Sequence, residues 1–225
     1  QDENLKLLGR NHSFKDAEEK MALIREFGFK NVNLDLIYAI PGETMKMLKE
    51  DIKCFLKLKP DHISTYSLMI EPNTLLWING VRPIKEELDE EMYHYLCKKK
   101  KKKGYIHYEI SNFAKEGRES IHNLTIDQIR YTNTKNLSKY LQGEYKGTEE
   151  ILSKKDIMDN EMMLGLRKIK GIHKGEFEEK YQVKMEDVYP IKPLLKNGDL
   201  KEKKGYIFIP SDKLYVMNEI LLKMI

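Results

Sequence analysis

The first 70 residues alternate between two hydrophobic periods, and each change of period separates a helix from a strand. Ala17, Met21, Ile24 and Phe27 recur at helical spacing, and Gly28 is placed as a helix-ending glycine. Residues 45–58 repeat the helical spacing, whereas residues 62–70 read as a strand bounded by proline-containing turns. The order helix, strand, helix, strand with short connections predicts an α/β chain, such as a segment of a βα barrel.

The segment from Val32 to Thr44 lies at the centre of this pattern. It reads VNLDLIYAIPGET, an apolar run with one carboxylate, Asp35, and it ends in the turn signal Pro41-Gly42. An apolar strand between helical patterns is typical of a parallel α/β unit, and such barrels bind ligands at the carboxyl ends of their strands. Asp35 would be costly to bury alone, so two interpretations stay open: a ligand contact, or a structural carboxylate paired with a backbone amide or an arginine.

The pattern continues with a long helix over residues 86–103 and a third strand over residues 105–110. The helix begins with acidic residues and ends in six consecutive lysines, which suits the helix dipole. Such a charge run favours a solvated helix end over a phosphate-binding site.

The pattern weakens over residues 135–146, and a different one follows. Three short helical patterns and a hairpin over residues 200–209 predict a small, mainly helical, winged-helix-like domain. We therefore predict two domains, residues 1–147 and residues 148–225.

Composition narrows the functional classes. No apolar run among the 225 residues is long enough to cross a bilayer, which together with the absence of a signal peptide favours a cytoplasmic protein without a membrane span. The two cysteines, Cys54 and Cys97, are far apart and predict neither a metal site nor a disulfide framework. A net charge of +4 is too small to indicate nucleic-acid binding by itself.

Three polar positions are candidates for chemistry, each with a plainer alternative. Arg10, between a glycine and a helix, could bind a carboxylate bidentately or be a surface charge. Glu109 could act as an acid or base, or could form an ion pair with Arg118 or Arg130. His122 follows a strand in a polar segment, where it could ligate iron or move a proton, or simply be a surface residue.

Six ordered motifs add a family resemblance that covers nearly the whole chain. They are LGRNH at 8–12, DLIYAIPGET at 35–44, ISTYSL with EPNT at 63–74, YEISNFA at 108–114, ESIHNL at 119–124 and MLGLR at 163–167. In this order they resemble the oxygen-independent coproporphyrinogen III oxidase family of radical SAM proteins, most of all its haem chaperone branch.

The resemblance implies the C-terminal part of a partial (βα)6 barrel followed by the helical domain. It implies S-adenosylmethionine and a [4Fe-4S] cluster as cofactors, with the cluster held by three cysteines. It assigns Arg10 to the carboxylate end of S-adenosylmethionine, Asp35 to the ribose region and Ile37 to the adenine. His122 and Asn123 match the start of the motif implicated in haem binding.

The sequence also departs from the family pattern. The three-cysteine loop, the glycine-rich second barrel strand, and the tyrosine, tryptophan and glycine-rich strand expected after Leu124 are all absent. We therefore infer a missing N-terminal portion and a missing internal segment. The chain as given is expected neither to assemble the cluster nor to perform radical chemistry.

The resemblance leaves two main functions open. One is a haem chaperone that binds porphyrin or haem and passes haem to client haemoproteins, and this is the function we favour on the motifs. The other is the oxidase itself, which converts two propionates of coproporphyrinogen III to vinyl groups. Nucleic-acid binding through the C-terminal domain is a weaker alternative.

Overall fold

The fold was analysed in a computed structural model that describes residues 1–120 and 129–224. The chain divides into two compact units, Gln1–Glu119 and Ser120–Ile225. The domain limits predicted from the sequence, 1–147 and 148–225, divide the chain at a different place and stay a prediction. Within the described residues, no helix is both long and apolar enough to span a membrane.

The first unit combines five helices and four strands. Its helices are α1 Asp2–Leu7, α2 Phe14–Glu26, α3 Met45–Lys57, α4 Leu75–Ile78 and α5 Glu86–Lys102. Its strands are β1 Asn33–Tyr38, β2 His62–Ser67, β3 Ile106–Glu109 and β4 Asn112–Ala114. Three helices begin where the sequence supplies side-chain caps. Ser13 and Asp16 form a reciprocal capping box at α2, Thr44 accepts from the Met47 amide at α3, and Thr74 accepts from the Trp77 amide at α4.

The strands form one sheet in the order β1-β2-β4-β3. Strands β1 and β2 are parallel, as the helix between them requires, whereas β4 pairs antiparallel with both β2 and β3. The strand predicted over residues 105–110 is present as β3, but the strand that follows it, β4, was not predicted. Residues 106–114 form a hairpin, because the two-residue connection between β3 and β4 can join only antiparallel strands.

The two faces of this sheet differ in polarity. One face packs on α3 and α5 through a buried apolar layer of Leu48, Ile52, Ile63, Leu96 and Phe113. The other face carries polar residues at matching positions of β1 and β2, since Cα partners in the register share a face. The sheet therefore presents a polar surface on the side away from these helices.

The sequence predicted that the lysine run at the end of α5 is solvated, but one of its lysines is buried. Lys100 is fully buried, because it continues the row of Met92 and Leu96 at four-residue spacing on the inner side of the helix. Its Nζ donates to Thr65 Oγ1 at 2.9 Å and lies 3.3 Å from the centroid of the Phe113 ring. Desolvation lowers the pKa of Lys100 to about 7.

The second unit contains six helices and five strands among its described residues. Its helices are α6 Leu137–Leu141, α7 Lys154–Arg167, α8 Lys174–Tyr181, α9 Met185–Val188, α10 Ile191–Lys196 and α11 Met217–Leu222. Its strands are β5 Ile129–Asn133, β6 Lys146–Ile151, β7 Ile172–His173, β8 Lys201–Lys203 and β9 Tyr206–Phe208. Strands β5 and β6 form a separate antiparallel ribbon around α6.

The remaining strands form a sheet in the order β7-β9-β8, which with α7, α8 and α10 gives a winged-helix arrangement. The predicted hairpin is confirmed, with Lys204-Gly205 joining β8 to β9. Gly171 is required beside this sheet, because a side-chain Cβ there would lie 2.0 Å from the Ile207 carbonyl oxygen. The core of this unit is built from large apolar side chains, among them Phe177, Leu166 and Met162.

Candidate functional site

A cavity of about 1080 Å³ opens in the first unit beside the edge strand β1. Its walls come from α1 and the loop after it, the start of α2, strand β1 and the inner side of α3. Arg10, Asp35 and Ile37, the three residues assigned by resemblance to S-adenosylmethionine, all line it. The structure thus brings together in one cavity residues that lie up to 27 positions apart in the sequence.

Arg10 reaches this cavity because the chain turns sharply at the end of α1. Gly9 adopts φ +67°, a left-handed conformation that favours glycine, and the Arg10 amide donates to the Leu5 carbonyl oxygen at 2.8 Å. The Arg10 side chain is exposed at the cavity wall. A guanidinium in this position can bind a carboxylate through two parallel hydrogen bonds.

Asp35 is not buried, contrary to the expectation of a buried strand. Strand β1 pairs with β2 on one side and, within the described part of the chain, has no strand on the other, so its side chains stay accessible. The other interpretation, a structural Asp35 paired with a backbone amide or an arginine, does not describe its hydrogen bond either, since the donor is an asparagine side chain. Asn33 Nδ2 donates to Asp35 Oδ1 at 2.8 Å.

The end of β1 is held by a buried carboxylate that sequence reasoning did not single out. Ala39 adopts φ +61°, and Glu43, only 3% exposed, accepts a hydrogen bond from the Ile40 amide at 3.1 Å. Burial raises the pKa of Glu43 to about 7. Glu43 thereby fixes the turn that carries Ile40 into the cavity wall.

Glu109 lies on β3 at the far edge of the same sheet. Its Oε2 accepts from the Ser111 amide at 3.0 Å and from Asn112 Nδ2 at 2.7 Å, which ties the β3–β4 hairpin together. Arg130, one of its two predicted ion-pair partners, instead pairs with Glu150 at 3.0 Å. Glu109 does not line the cavity that contains Asp35.

Two predicted site residues, His122 and Asn123, lie outside the described residues, so their assignment stays a prediction. Of the cysteines, Cys54 lines the cavity and Cys97 lies in α5. Over residues 1–120 and 129–224, no three histidine, cysteine, aspartate or glutamate side chains are grouped as a metal site would require.

Comparison with known proteins supports the family inferred from the motifs. Residues 152–211 match the family model of the HemN C-terminal domain. The structure resembles the solved structure of coproporphyrinogen III oxidase (HemN) from Escherichia coli, described as a radical SAM enzyme, with a TM-score of 0.80 and 15% identity. That likeness covers 99% of this chain and 61% of the oxidase, and it confirms the predicted fold class.

Several relatives by sequence share one name. Three relatives are proteins named heme chaperone HemW, from Lactococcus lactis, Bacillus subtilis and Haemophilus influenzae. They are 36%, 32% and 31% identical over 82%, 98% and 79% of this chain. The chain spans 55%, 65% and 52% of their respective lengths.

Proposed function

We propose that this chain is part of a radical SAM protein of the haem chaperone type and that its cavity binds S-adenosylmethionine. The observation that carries the proposal is the convergence of Arg10, Asp35 and Ile37 on one cavity. These residue types match the ligand, which has a carboxylate at one end, a ribose with two hydroxyl groups, and an apolar adenine face. S-adenosylmethionine would supply the sulfonium group that radical SAM proteins cleave.

The residues on the cavity wall fit this ligand. Arg10 would bind the methionine carboxylate, because a guanidinium presents paired donors. Asp35 would accept from the ribose hydroxyls, and Ile37 would contact the adenine through its apolar surface. The chain does not fit the iron–sulfur cluster, since it contains two cysteines, one in α3 and one in α5, where three from one loop are needed.

Haem binding is the second part of the proposal. It is supported by the name of the relatives, heme chaperone, and by the match of His122 and Asn123 to the start of the family's haem motif. The chaperone function is preferred over the oxidase because three relatives that are 31–36% identical to this chain carry that name. Client haemoproteins would be the partners.

Nucleic-acid binding has less support from the winged-helix unit. Helix α9, which leads into α10, carries Glu186 and Asp187 in its first turn. Lys174 pairs with Glu186 at 2.7 Å and with Glu202 of β8 at 3.3 Å, which neutralises a cation beside the hairpin. A DNA-binding wing would instead present unpaired cations to phosphate.

Calorimetric titration of the chain with S-adenosylmethionine tests the first part. Arg10→Ala should weaken binding by about 10-fold or more, because a charge-assisted bidentate hydrogen bond is lost. Arg82→Ala, an exposed arginine outside the cavity, is the matched control and should bind like the parent. Binding that is absent, or equally strong in both variants, would contradict the proposed cavity.

Titration with haem, followed by its visible absorption, tests the second part. His122→Ala should abolish or shift the absorption band, whereas His94→Ala, an exposed histidine on α5, should not. Mass spectrometry of the recovered porphyrin distinguishes the chaperone function from the oxidase function. A chaperone returns haem with both propionates, whereas an oxidase converts propionates of its own substrate to vinyl groups.

A further inference from the structure

A continuous row of hydrogen bonds leads from the far side of the sheet to the carboxylate of the cavity. The Tyr108 hydroxyl lies 2.5 Å from His62 Nε2, and His62 Nδ1 lies 2.6 Å from Asn33 Oδ1. Asn33 Nδ2 in turn lies 2.8 Å from Asp35 Oδ1. These four side chains, which we call the Tyr108–Asp35 relay, belong to β3, β2 and β1.

The carboxylate fixes the direction of the hydrogen bonds that Asn33 makes to Asp35 and to His62. Asp35 only accepts, so Asn33 must turn its Nδ2 amino group towards it and its Oδ1 towards His62. His62 must then donate from Nδ1, and in the neutral imidazole this leaves Nε2 as an acceptor for the Tyr108 hydroxyl. Ser64 Oγ, which donates to the same Asn33 Oδ1 at 3.2 Å, holds the amide in this orientation.

The pairing of β1 with β2 is what makes the relay possible. Asn33 is the Cα partner of His62, and Asp35 is the Cα partner of Ser64. The side chains of these two pairs therefore share the polar face of the sheet. His62 is 3% exposed and packs edge-on against the Tyr108 ring, with centroids 5.6 Å apart. The relay therefore has a rigid, buried end at His62 and an accessible end at Asp35.

We propose that Asn33 is a positioning residue for Asp35, held in place by His62 and Tyr108, so that one carboxylate oxygen is fixed and the other is presented to a hydroxyl-bearing ligand in the cavity. This rests on the proposed S-adenosylmethionine site, whose ribose supplies the hydroxyls. Without the relay, an exposed aspartate on an edge strand would sample several rotamers, and the ligand would have to order it.

Two ligand-free NMR measurements test the relay directly. Long-range ¹H–¹⁵N spectra of the imidazole should show that His62 carries its proton on Nδ1. Three-bond couplings should show a single χ1 rotamer for Asp35 in the parent chain and averaged rotamers in Asn33→Ala. Asn31→Ala, at an exposed asparagine two residues before the relay, should leave the rotamer unchanged.

A neutral His62 imidazole with its proton on Nε2 would overturn the proposal, because Nδ1 would then accept and the Asn33 amide would have to be reversed. An Asp35 rotamer equally fixed in Asn33→Ala would also overturn it. Either result stands whether or not the cavity binds a nucleoside, so failure of the relay is distinguishable from failure of the proposed function.

Titration with S-adenosylhomocysteine measures what the relay contributes to binding. Asn33→Ala should raise the dissociation constant by about 10-fold, the lower end of the range for one hydrogen bond to a charged group. Tyr108→Phe removes a hydroxyl that is three hydrogen bonds away from Asp35, and it should raise the dissociation constant by about 2-fold. Tyr131→Phe, at an exposed tyrosine, should have no effect. Unchanged affinity in Asn33→Ala, with a parent chain that binds, would overturn the proposal.

Discussion

The two units of the chain differ in what they bury. Among the described residues, nine buried polar or charged side chains belong to the first unit and one, Asp199, belongs to the second. The nine are Asn4, Glu43, Asp61, His62, Ser64, Thr65, Lys100, Glu109 and Asn112. The unit with the cavity therefore adds buried polar contacts to an apolar core, whereas the described core of the winged-helix unit is almost entirely apolar.

The charged centres of the two units show the same contrast. Asp61 holds together three parts of the first unit, since it accepts from Arg25 at 2.5 Å, Lys115 at 3.1 Å and the Val32 amide at 3.2 Å. Asp199 binds Lys213 and Lys223 near the surface, at 2.7 and 2.9 Å, and those hydrogen bonds lower its pKa to about 2. Each is a carboxylate with two cations, but only Asp61 also anchors a strand.

The largest loss of stability is expected from a substitution in the apolar core of the second unit. Phe177→Ala should lower the free energy of unfolding by about 3–5 kcal/mol, because a fully buried ring that packs on Tyr181 is replaced by a cavity. Urea unfolding monitored by hydrogen exchange within residues 154–224 measures it. Phe27→Ala, at a phenylalanine that is 74% exposed, is the control and should change little.

A smaller but still large loss is expected at Asp61 in the first unit. Asp61→Ala should lower the free energy of unfolding by about 3 kcal/mol, since the Arg25 cation and the Val32 amide lose their shared acceptor. Urea unfolding monitored by hydrogen exchange within residues 1–119 measures it, with Asp212→Ala at an exposed aspartate as control. If Asp61→Ala is as mild as Asp212→Ala, the first unit does not depend on buried polar contacts in the way described.

Substitution of Lys100 should raise the free energy of unfolding instead of lowering it. Because burial lowers its pKa to about 7, the unfolded chain takes up the proton more readily, and stability should rise with pH from about 7 to about 10.5. Lys100→Met should therefore stabilise the chain at pH 7 by about 1–3 kcal/mol and flatten that rise. Lys101→Met, one residue further along the run and exposed, should do neither.

Glu43 should give the smallest effect and the opposite pH dependence. Its raised pKa means that the folded chain holds the proton more tightly, so stability should fall as pH rises from about 4.5 to about 7. Glu43→Gln should remove this fall while keeping an acceptor for the Ile40 amide. Thermal unfolding between pH 4.5 and 7 measures the slope, and Glu71→Gln at an exposed turn should leave it intact.

The sequence predicts what depends on local pattern and on motif. The helices around Val32–Thr44, the β8–β9 hairpin and the convergence of Arg10 with Asp35 follow from spacing, turn residues and family resemblance. The hairpin of β3 and β4 was missed because residues 108–114 were interpreted as a polar motif and no second strand was predicted in them. Sequence spacing alone cannot show that an antiparallel strand buries such residues.

The relay could not be predicted, because it depends on the register between two strands. Asn33 and His62 are separated by 29 positions, and only the pairing of β1 with β2 places them opposite each other. A shift by one residue would turn His62 to the other face of the sheet. The burial of Lys100 was missed for a related reason, since six identical residues hide which one continues the inner row of the helix.

The buried lysine also makes a chemical label for motion in the first unit. Amine acylation requires a neutral, accessible amine, and near pH 7 about half of the Lys100 amines are neutral although the side chain is fully enclosed. The other lysines of the run are not enclosed in this way. Acylation of Lys100 would thus report the rate at which α5 lifts from β2 and β4, from within a run of residues that are otherwise chemically alike.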